Sequence, residues 1–312
     1  MMGSMRLPEK IRIVRNNFRN WLTLILMLKF GKGNKLPVVT RSGLRYFLWR
    51  NQVIVLFLHL WKGIPGDEAI NYIIRDRIHY RDKNPVIHGW IGNGNKNNGN
   101  ILDVFFNEEY RFLNVRDRVV IDVGASIGDS AIYFALNGAS KVIGLEPYPY
   151  SFKFGIRNVK ENGLEDRILL LNAAYGHDGE ILVDDSFESK DTTQLKHYDK
   201  GKKIRVYSLK TLLDEFGGER TVLKMDCEGC EYFLLEEPEN VFSHIEMMQI
   251  EYHYGYQKLV NKLESMGFIV KFTEPEKNQN PHAENPNMEV GYIYARRGQA
   301  PENLDNEVLG RR

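Results

Sequence analysis

The chain has 312 residues, 43% of them apolar, and a formal net charge of +1, which is room for one large domain or two modest ones of ordinary globular composition. Its two cysteines exclude a disulfide framework and fit a reducing, cytoplasmic compartment. The near-neutral total hides an asymmetry: Met1–Leu60 carries eleven Lys/Arg and one acid, Glu9, whereas the remainder holds 31 basic against 40 acidic residues. A basic head suited to a surface or partner thus precedes an acidic body.

Near the start, Ile11, Val14, Phe18, Trp21, Ile25 and Leu28 recur at three- and four-residue steps with Arg12, Arg15 and Arg19 beside them. This predicts one amphipathic helix over Glu9–Phe30, either lying on an anionic membrane surface as a peripheral contact or packed on the core. The uncharged run from Asn20 to Lys29 is far short of the ~20 residues a span needs. It also sits too deep, without a small-residue cleavage site, to be a signal peptide. Gly31–Lys35 reads as a loop, and Val53–Trp61 as a strand or a buried helix that periodicity cannot separate. Asn71–Arg81 has helical character. Ile87–Ile91, the Asn/Gly cluster 92–100 and Ile101–Phe106 read as strand, turn, strand. Residues 1–105 form an accessory region on this reading, 106–296 the main domain and 297–312 a disordered tail.

The main domain opens with a short helix at Phe106–Leu113 and then the stretch that organises the chain. Val119–Val123 is an apolar run ending in Asp122-Val123, followed by Gly124-Ala125-Ser126-Ile127-Gly128-Asp129-Ser130 and a helix that stops at Asn137-Gly138. Strand, glycine turn and helix bind a nucleotide at the carboxyl end of a parallel sheet. A second strand, Lys141–Glu146, ends in a carboxylate 22 residues after Gly124, near the ~20-residue spacing of an acid that meets ribose hydroxyls. The turn is Gly-x-x-x-Gly rather than Gly-x-Gly-x-x-Gly, and Asp122 and Asp129 flank it. Those acids would repel a pyrophosphate but suit a ligand carrying ammonium and sulfonium groups, which points to S-adenosyl-L-methionine. The helix Ser151–Glu161 and the strand Arg167–Asn172 follow. Asn172-Ala173 stands at the crevice, where Asn172 either reads an adenine edge through its amide or serves as a turn residue.

Residues 175–221 exceed a simple crossover, with strands expected at Ile181–Asp184 and Lys203–Tyr207, a polar loop between them that bears His197, and a helix at Leu209–Phe216. His177 and His197 on this insert read as plain solvent-facing groups. A fourth strand, Thr221–Asp226, ends in an acid, Glu228-Gly229 turns the chain, and Cys230–Glu236 is helical. The fifth strand, Glu246–Glu251, again ends in an acid, with His253 just beyond. A helix at Gln257–Met266 and strands at Phe268–Phe272 and Val290–Ala295 complete the domain.

Asp122–Ser130 with Glu146-Pro147, Leu223–Glu231 and Ile250-Glu251-Tyr252-His253, in that order, resemble the FkbM-type methyltransferases from about Phe106 to Ala295. The resemblance implies an α/β, Rossmann-like class I methyltransferase fold: a seven-stranded, mostly parallel sheet with an antiparallel last strand. It also implies S-adenosylmethionine as cofactor and O-methylation of a sugar, glycan or other small hydroxylated metabolite. Asp122, Gly124, Ala125, Ser126, Gly128, Asp129, Ser130, Glu146, Pro147, Asn172 and Ala173 are the cofactor-binding candidates. Asp226, Glu228, Glu251 and His253 come from adjacent strand ends and are the catalytic candidates, with His253 or Asp226 taking the acceptor proton and the other orienting it. The alternative is that Asp226 and Glu228 only bind turn amides or cofactor; no metal is expected, although Asp226, Glu228 and Glu251 would suit magnesium. Cys227 and Cys230 are too few for a four-sulfur site and are expected to be a buried, inert pair.

Two other classes compete. Gly124-Ala125-Ser126-Ile127-Gly128 also spells a nucleophile elbow, and Ser126, Asp226 and His253 follow the order of an α/β serine hydrolase. A non-catalytic binder of an adenosyl ligand is the second. A nucleic-acid acceptor is not expected, because the body is acidic and the strand after the insert does not end in an Asn/Asp-Pro-Pro-aromatic signature.

Overall fold

The computed structural model describes residues 6–89, 101–183, 200–277 and 288–298, together with the backbone of 91–92 and 95–96; at 276–277 also only the backbone is described. The turn residues 93–94 and 97–100, the loop 184–199 with His197, the connection 278–287 and the expected tail from 299 onward lie outside the described residues. The chain divides into two compact units, Met1–Glu109 and Tyr110–Arg312.

The first unit comprises α1 (Leu7–Asn17), α2 (Trp21–Phe30), β1 (Lys35–Val39), β2 (Arg45–Trp49), α3 (Arg50–Trp61), α4 (Gly66–Arg75), the two-residue strands β3 (Ile91–Gly92) and β4 (Asn95–Lys96), and α5 (Ile101–Phe106). The single helix expected over Glu9–Phe30 is two helices. The chain is captured between them: extended Phe18 bridges to Thr40, and the Asn20 side chain bonds Pro37 O at 2.7 Å and Val39 N at 2.9 Å. The capturing hairpin, β1–β2, pairs Lys35 with Trp49 and Val39 with Arg45 and was not visible in the sequence. Val53–Trp61 is helical as part of α3, with Val53, Leu56, Phe57 and Leu60 buried. Helix is found at Gly66–Arg75 rather than Asn71–Arg81, ending at Asp76 with φ of 56°. Ile101–Phe106 is a helix and not the expected strand, because Ile101, Leu102, Val104 and Phe105 are all buried, a helical stripe rather than an alternation. The helix expected at Phe106–Leu113 ends at Phe106, and turns follow it.

The second unit is built on one sheet. Its elements are β5 (Val119–Val123), α6 (Asp129–Leu136), β6 (Lys141–Leu145), α7 (Pro149–Glu161), β7 (Ile168–Leu171), β8 (Ala173–Tyr175), β9 (Gly179–Val183), β10 (Lys202–Tyr207), α8 (Leu209–Phe216), β11 (Thr221–Met225), 3-10 helices at Cys230–Leu235 and Glu239–His244, β12 (Ile245–Tyr252), α9 (Gln257–Ser265), β13 (Ile269–Phe272), β14 (Glu276–Lys277) and β15 (Glu289–Arg296). The sheet order is β7-β6-β5-β11-β12-β15-β13, with β14 pairing only β15. β7, β6, β5, β11 and β12 pair in parallel, whereas β15 runs antiparallel to both β12 and β13. This is the expected α/β arrangement, a mostly parallel sheet with an antiparallel last strand.

The central strands are buried on both faces, which is why β5, β6 and β11 read as apolar runs. Order reverses at β5, with β6 on one side and β11 on the other. In open α/β sheets the strand ends at such a switch point are where ligands bind. The insert forms its own small sheet, β8-β10-β9. The segment Cys230–Glu236, expected as an α-helix, is a 3-10 helix, and Cys227 and Cys230 are joined by a disulfide rather than held as a buried free pair. Both are only half-buried, and three residues of separation let one tight turn bring the sulfurs together.

Candidate active site

The loop after β5 is shaped by its glycines. Gly124 has φ of 78°, and a Cβ there would lie 1.8 Å from Asp226 O, so only glycine lets the loop pass the end of β11. Gly128, with φ of 80°, precedes α6 and packs against Gly155. Ser126 also takes a left-handed conformation, φ 44°. The loop amides are tied to the next strand: Gly124 N and Ala125 N donate to Leu145 O at 3.0 and 2.9 Å.

Glu146, at the end of β6, accepts the Ser126 N–H at 3.0 Å on one oxygen and the Tyr148 N–H at 2.8 Å on the other. Each carboxylate oxygen keeps a second lone pair, the acceptor set that a vicinal diol needs. Burial pushes its pKa up to about 7 against the pull of those two amides. Asp129, half-buried at the start of α6, is likewise pushed up to about 7 by burial, with Lys224 opposing. Two carboxyls so short of compensating charge favour a cation or hydroxyl donors beside them.

Asp122 is placed otherwise than the flanking-acid expectation supposed. It is fully buried; one oxygen accepts the Ser130 hydroxyl at 2.6 Å and the other lies 3.0 Å from Lys224 Nζ. Lys224 Nζ also donates to Gly124 O at 2.8 Å. Asp122 and Ser130 therefore hold the loop from beneath, because a buried carboxylate is stable only when paired, and Lys224 is the charge that sequence reading missed. An apolar strand with one lysine whose partner lies about a hundred residues earlier carries no local signal of that pairing.

Asn172 donates from its amide to Glu146 O and Pro147 O, both at 2.9 Å, and accepts from Lys202 Nζ at 2.6 Å. It thereby ties the Glu146-Pro147 turn to the end of β7. Ala125 and Ala173 are buried in the core, whereas Pro147 is half-buried at the turn.

Beside the loop stand the catalytic candidates. Asp226, Glu251 and His253 each offer a ligand atom within 4.8 Å of the others, a set of two carboxylates and an imidazole at the ends of β11 and β12. His253 is buried; its backbone N–H and its Nδ1 lie 2.9 and 3.0 Å from Glu231 Oε1, and Nε2 lies 3.4 Å from Glu228 Oε2. Glu231, fully buried, also receives the Gly229 N–H at 2.9 Å. Burial works against the imidazolium, but Glu231, then Glu228 and Asp226, outweigh it and raise the His253 pKa. Glu231, which the sequence reading did not single out, thus holds the His253 ring; that reading paired His253 with Asp226, either one taking the proton and the other orienting it. The hydrolase alternative needs Asp226 at His253 Nδ1, the place that Glu231 Oε1 takes. For a divalent cation, the structure gathers Asp226, Glu251 and His253 rather than Asp226, Glu228 and Glu251. His177 pairs with Glu236 at 3.2 Å on the surface.

Residues 122–270 match the family described as Methyltransferase FkbM domain. A tRNA(Phe) (4-demethylwyosine(37)-C(7)) aminocarboxypropyltransferase of Pyrococcus horikoshii is 41% identical over 56 residues, which is 18% of this chain and 20% of that relative's length. Among solved structures, a precorrin-6y C5,15-methyltransferase from Geobacter metallireducens GS-15 is 15% identical, with a TM-score of 0.36 over 62% of this chain and 89% of its own. An rRNA methylase from Streptococcus thermophilus is 12% identical, with a TM-score of 0.37 over 63% and 96%.

Proposed function

Because the chain carries, over residues 122–270, a domain of the methyltransferase FkbM family, we propose that it transfers a methyl group from S-adenosylmethionine to a hydroxyl of a small acceptor such as a sugar or glycan. The observation that carries this reading is the meeting of two groups at the sheet's switch point: the Gly124 loop with Glu146 on one side, and Asp226, Glu251 and His253 on the other. The backbone of Gly124 lies against Asp226 itself, so donor and acceptor regions adjoin.

The residues present fit the donor: Glu146 retains lone pairs for ribose hydroxyls, and Asp129 offers a carboxylate that a cation would stabilise. When bound, S-adenosylmethionine supplies an electrophilic methyl on a sulfonium. The chain's own part is placement, which can supply ~7–11 kcal/mol of the barrier, and proton removal. His253 Nε2 takes the acceptor's proton as the oxygen–carbon bond forms and the sulfur–carbon bond breaks. Glu231 fixes the ring from behind and stabilises the imidazolium, while Asp226 and Glu251 accept hydrogen bonds from neighbouring acceptor hydroxyls. The balance of 31 basic against 40 acidic residues beyond Leu60 disfavours a polyanionic acceptor in this crevice.

Calorimetry with S-adenosylmethionine and S-adenosylhomocysteine, followed by transfer of labelled methyl into fractionated glycan, metabolite and RNA pools, tests the reading. Label in a hydroxylated small-molecule or glycan pool supports it. Label in RNA alone overturns the acceptor class, and no affinity for either ligand overturns the whole.

A further inference from the structure

The first unit carries an apolar surface that methyl transfer does not use. Helix α2 reads Trp-Leu-Thr-Leu-Ile-Leu-Met-Leu-Lys-Phe, yet Leu24 is its one buried residue. A helix apolar almost all round normally lies in a core or against lipid. Here Leu22, Leu26 and Phe30, spaced four apart along one face, are 52%, 47% and 70% exposed. The outward face of the β1–β2 hairpin has the same character, with Phe47 73% and Trp49 48% exposed. Arg50 joins the two elements: its guanidinium donates to Leu28 O at 2.7 Å and Gly31 O at 2.6 Å, at the end of α2, while its backbone follows Trp49 directly. Phe47, Trp49 and Ile74 share an open depression of about 430 Å³ with Arg45 and Gln52. Single exposed apolar residues need no explanation, but a set drawn from adjoining elements does.

The segment that carries α2 and the hairpin bears charge of one sign, and acids enter only with Asp67 and Glu68 at the start of α4. From Lys10 to Gly66 the sequence holds eleven Lys/Arg and no Asp or Glu. Lys29 Nζ lies 5.2 Å from the Phe30 ring and Lys35 Nζ 4.6 Å from the Trp49 ring, so cations rim the apolar side chains. Lys35 and Arg45 share the outward hairpin face with Phe47 and Trp49 through the strand register.

We propose that this face docks on the surface of an anionic lipid bilayer, with α2 lying in the interfacial plane. Apolar burial in the headgroup boundary and attraction to acidic lipids together give such binding. Ten residues of helix reach about 15 Å against a hydrocarbon core of about 30 Å, and no helix among the described residues is long and apolar enough to cross a membrane. Phe30, Phe47 and Trp49 could stack on the bases of single-stranded RNA, but the exposed aliphatic Leu22, Leu26 and Ile74 beside them favour lipid. Docking of this kind does not depend on the methyl-transfer reading.

Sedimentation of the full chain with phosphatidylcholine vesicles, with and without phosphatidylserine, tests it. Binding should be at least about tenfold tighter to the anionic vesicles and weaken in salt. The double variant Leu26→Glu/Phe47→Glu, at exposed positions, should keep the thermal midpoint and lose at least about tenfold in vesicle binding. Lys35→Glu/Arg45→Glu should lose the preference for anionic vesicles. Absence of vesicle binding overturns the proposal, as do double variants that bind like the unaltered chain. Binding of single-stranded RNA without vesicles, or self-association through this face without vesicles, also overturns it.

Discussion

One oxygen of the buried Glu231 carboxylate, Oε1, receives both the backbone N–H of His253 at 2.9 Å and its Nδ1 at 3.0 Å. A single acid therefore fixes where the imidazole sits and which way it faces. Its charge also helps raise the His253 pKa above the ordinary value of 6.5 against the effect of burial. Turnover that needs neutral His253 should rise with pH through that raised value. Glu231→Gln keeps an acceptor but removes the charge, so the rising limb should move to lower pH while kcat falls about tenfold. In stability the sign is opposite: a raised histidine pKa contributes stability present below 6.5 and lost as pH climbs through the folded-state value. The gap in thermal midpoint between the unaltered chain and Glu231→Gln should therefore narrow with rising pH.

Gly124→Ala puts a Cβ 1.8 Å from the Asp226 carbonyl oxygen at a residue with φ of 78°. Backbone cannot give way there without moving β11. We expect loss of about 3 kcal/mol or more in denaturant unfolding, together with loss of S-adenosylmethionine binding by calorimetry.

Asp129→Asn separates binding from stability. Burial first of all raises the Asp129 carboxyl to about 7, so the folded chain holds this proton more tightly than the unfolded one. Its contribution to stability then declines as pH rises from about 4 to about 7. The Asn variant should be more stable than the unaltered chain at pH 8, by about 1 kcal/mol, and should bind the cationic donor at least about tenfold more weakly. Donor affinity of the unaltered chain should increase as pH passes about 7.

Lys224→Met leaves Asp122 buried without its cation. Breaking such a pair from one side costs about 3–5 kcal/mol, so the variant should unfold at markedly lower denaturant. Asp122→Asn/Lys224→Met should recover part of that loss, because the uncompensated charge is gone.

Chelation tests the cluster of Asp226, Glu251 and His253. Both ring nitrogens of His253 face carboxylates, at 3.0 and 3.4 Å, so the imidazole itself answers the negative charge there. Dialysis against a chelator should leave the initial rate within about twofold. Loss of activity restored by magnesium would instead make these residues ligands.

The parts of this chain that could be read from sequence are those governed by neighbours in the chain. The run Val119–Val123, the obligatory bend at Gly124 and the acid at Glu146 announce themselves because strand, turn and spacing are local quantities. The pairing of Asp122 with Lys224, by contrast, is settled only when β5 and β11 lie side by side. Sequence reading therefore gave Asp122 to the donor and treated Lys224 as part of a plain strand. Likewise Glu231 and His253 stand 22 residues apart and meet only through the fold. At the N-terminus the periodicity was real, but hairpin contacts at Phe18 and Asn20 outweighed it and cut the helix in two.

Lys224 and Asp226 are alternate residues of one chain segment. The ammonium of the first is anchored to the carbonyl oxygen of Gly124, while the second joins the cluster with His253. The support of the Gly124 loop and one member of the His253 cluster thus come from the same short piece of backbone. A displacement of this one strand end would therefore shift both at once.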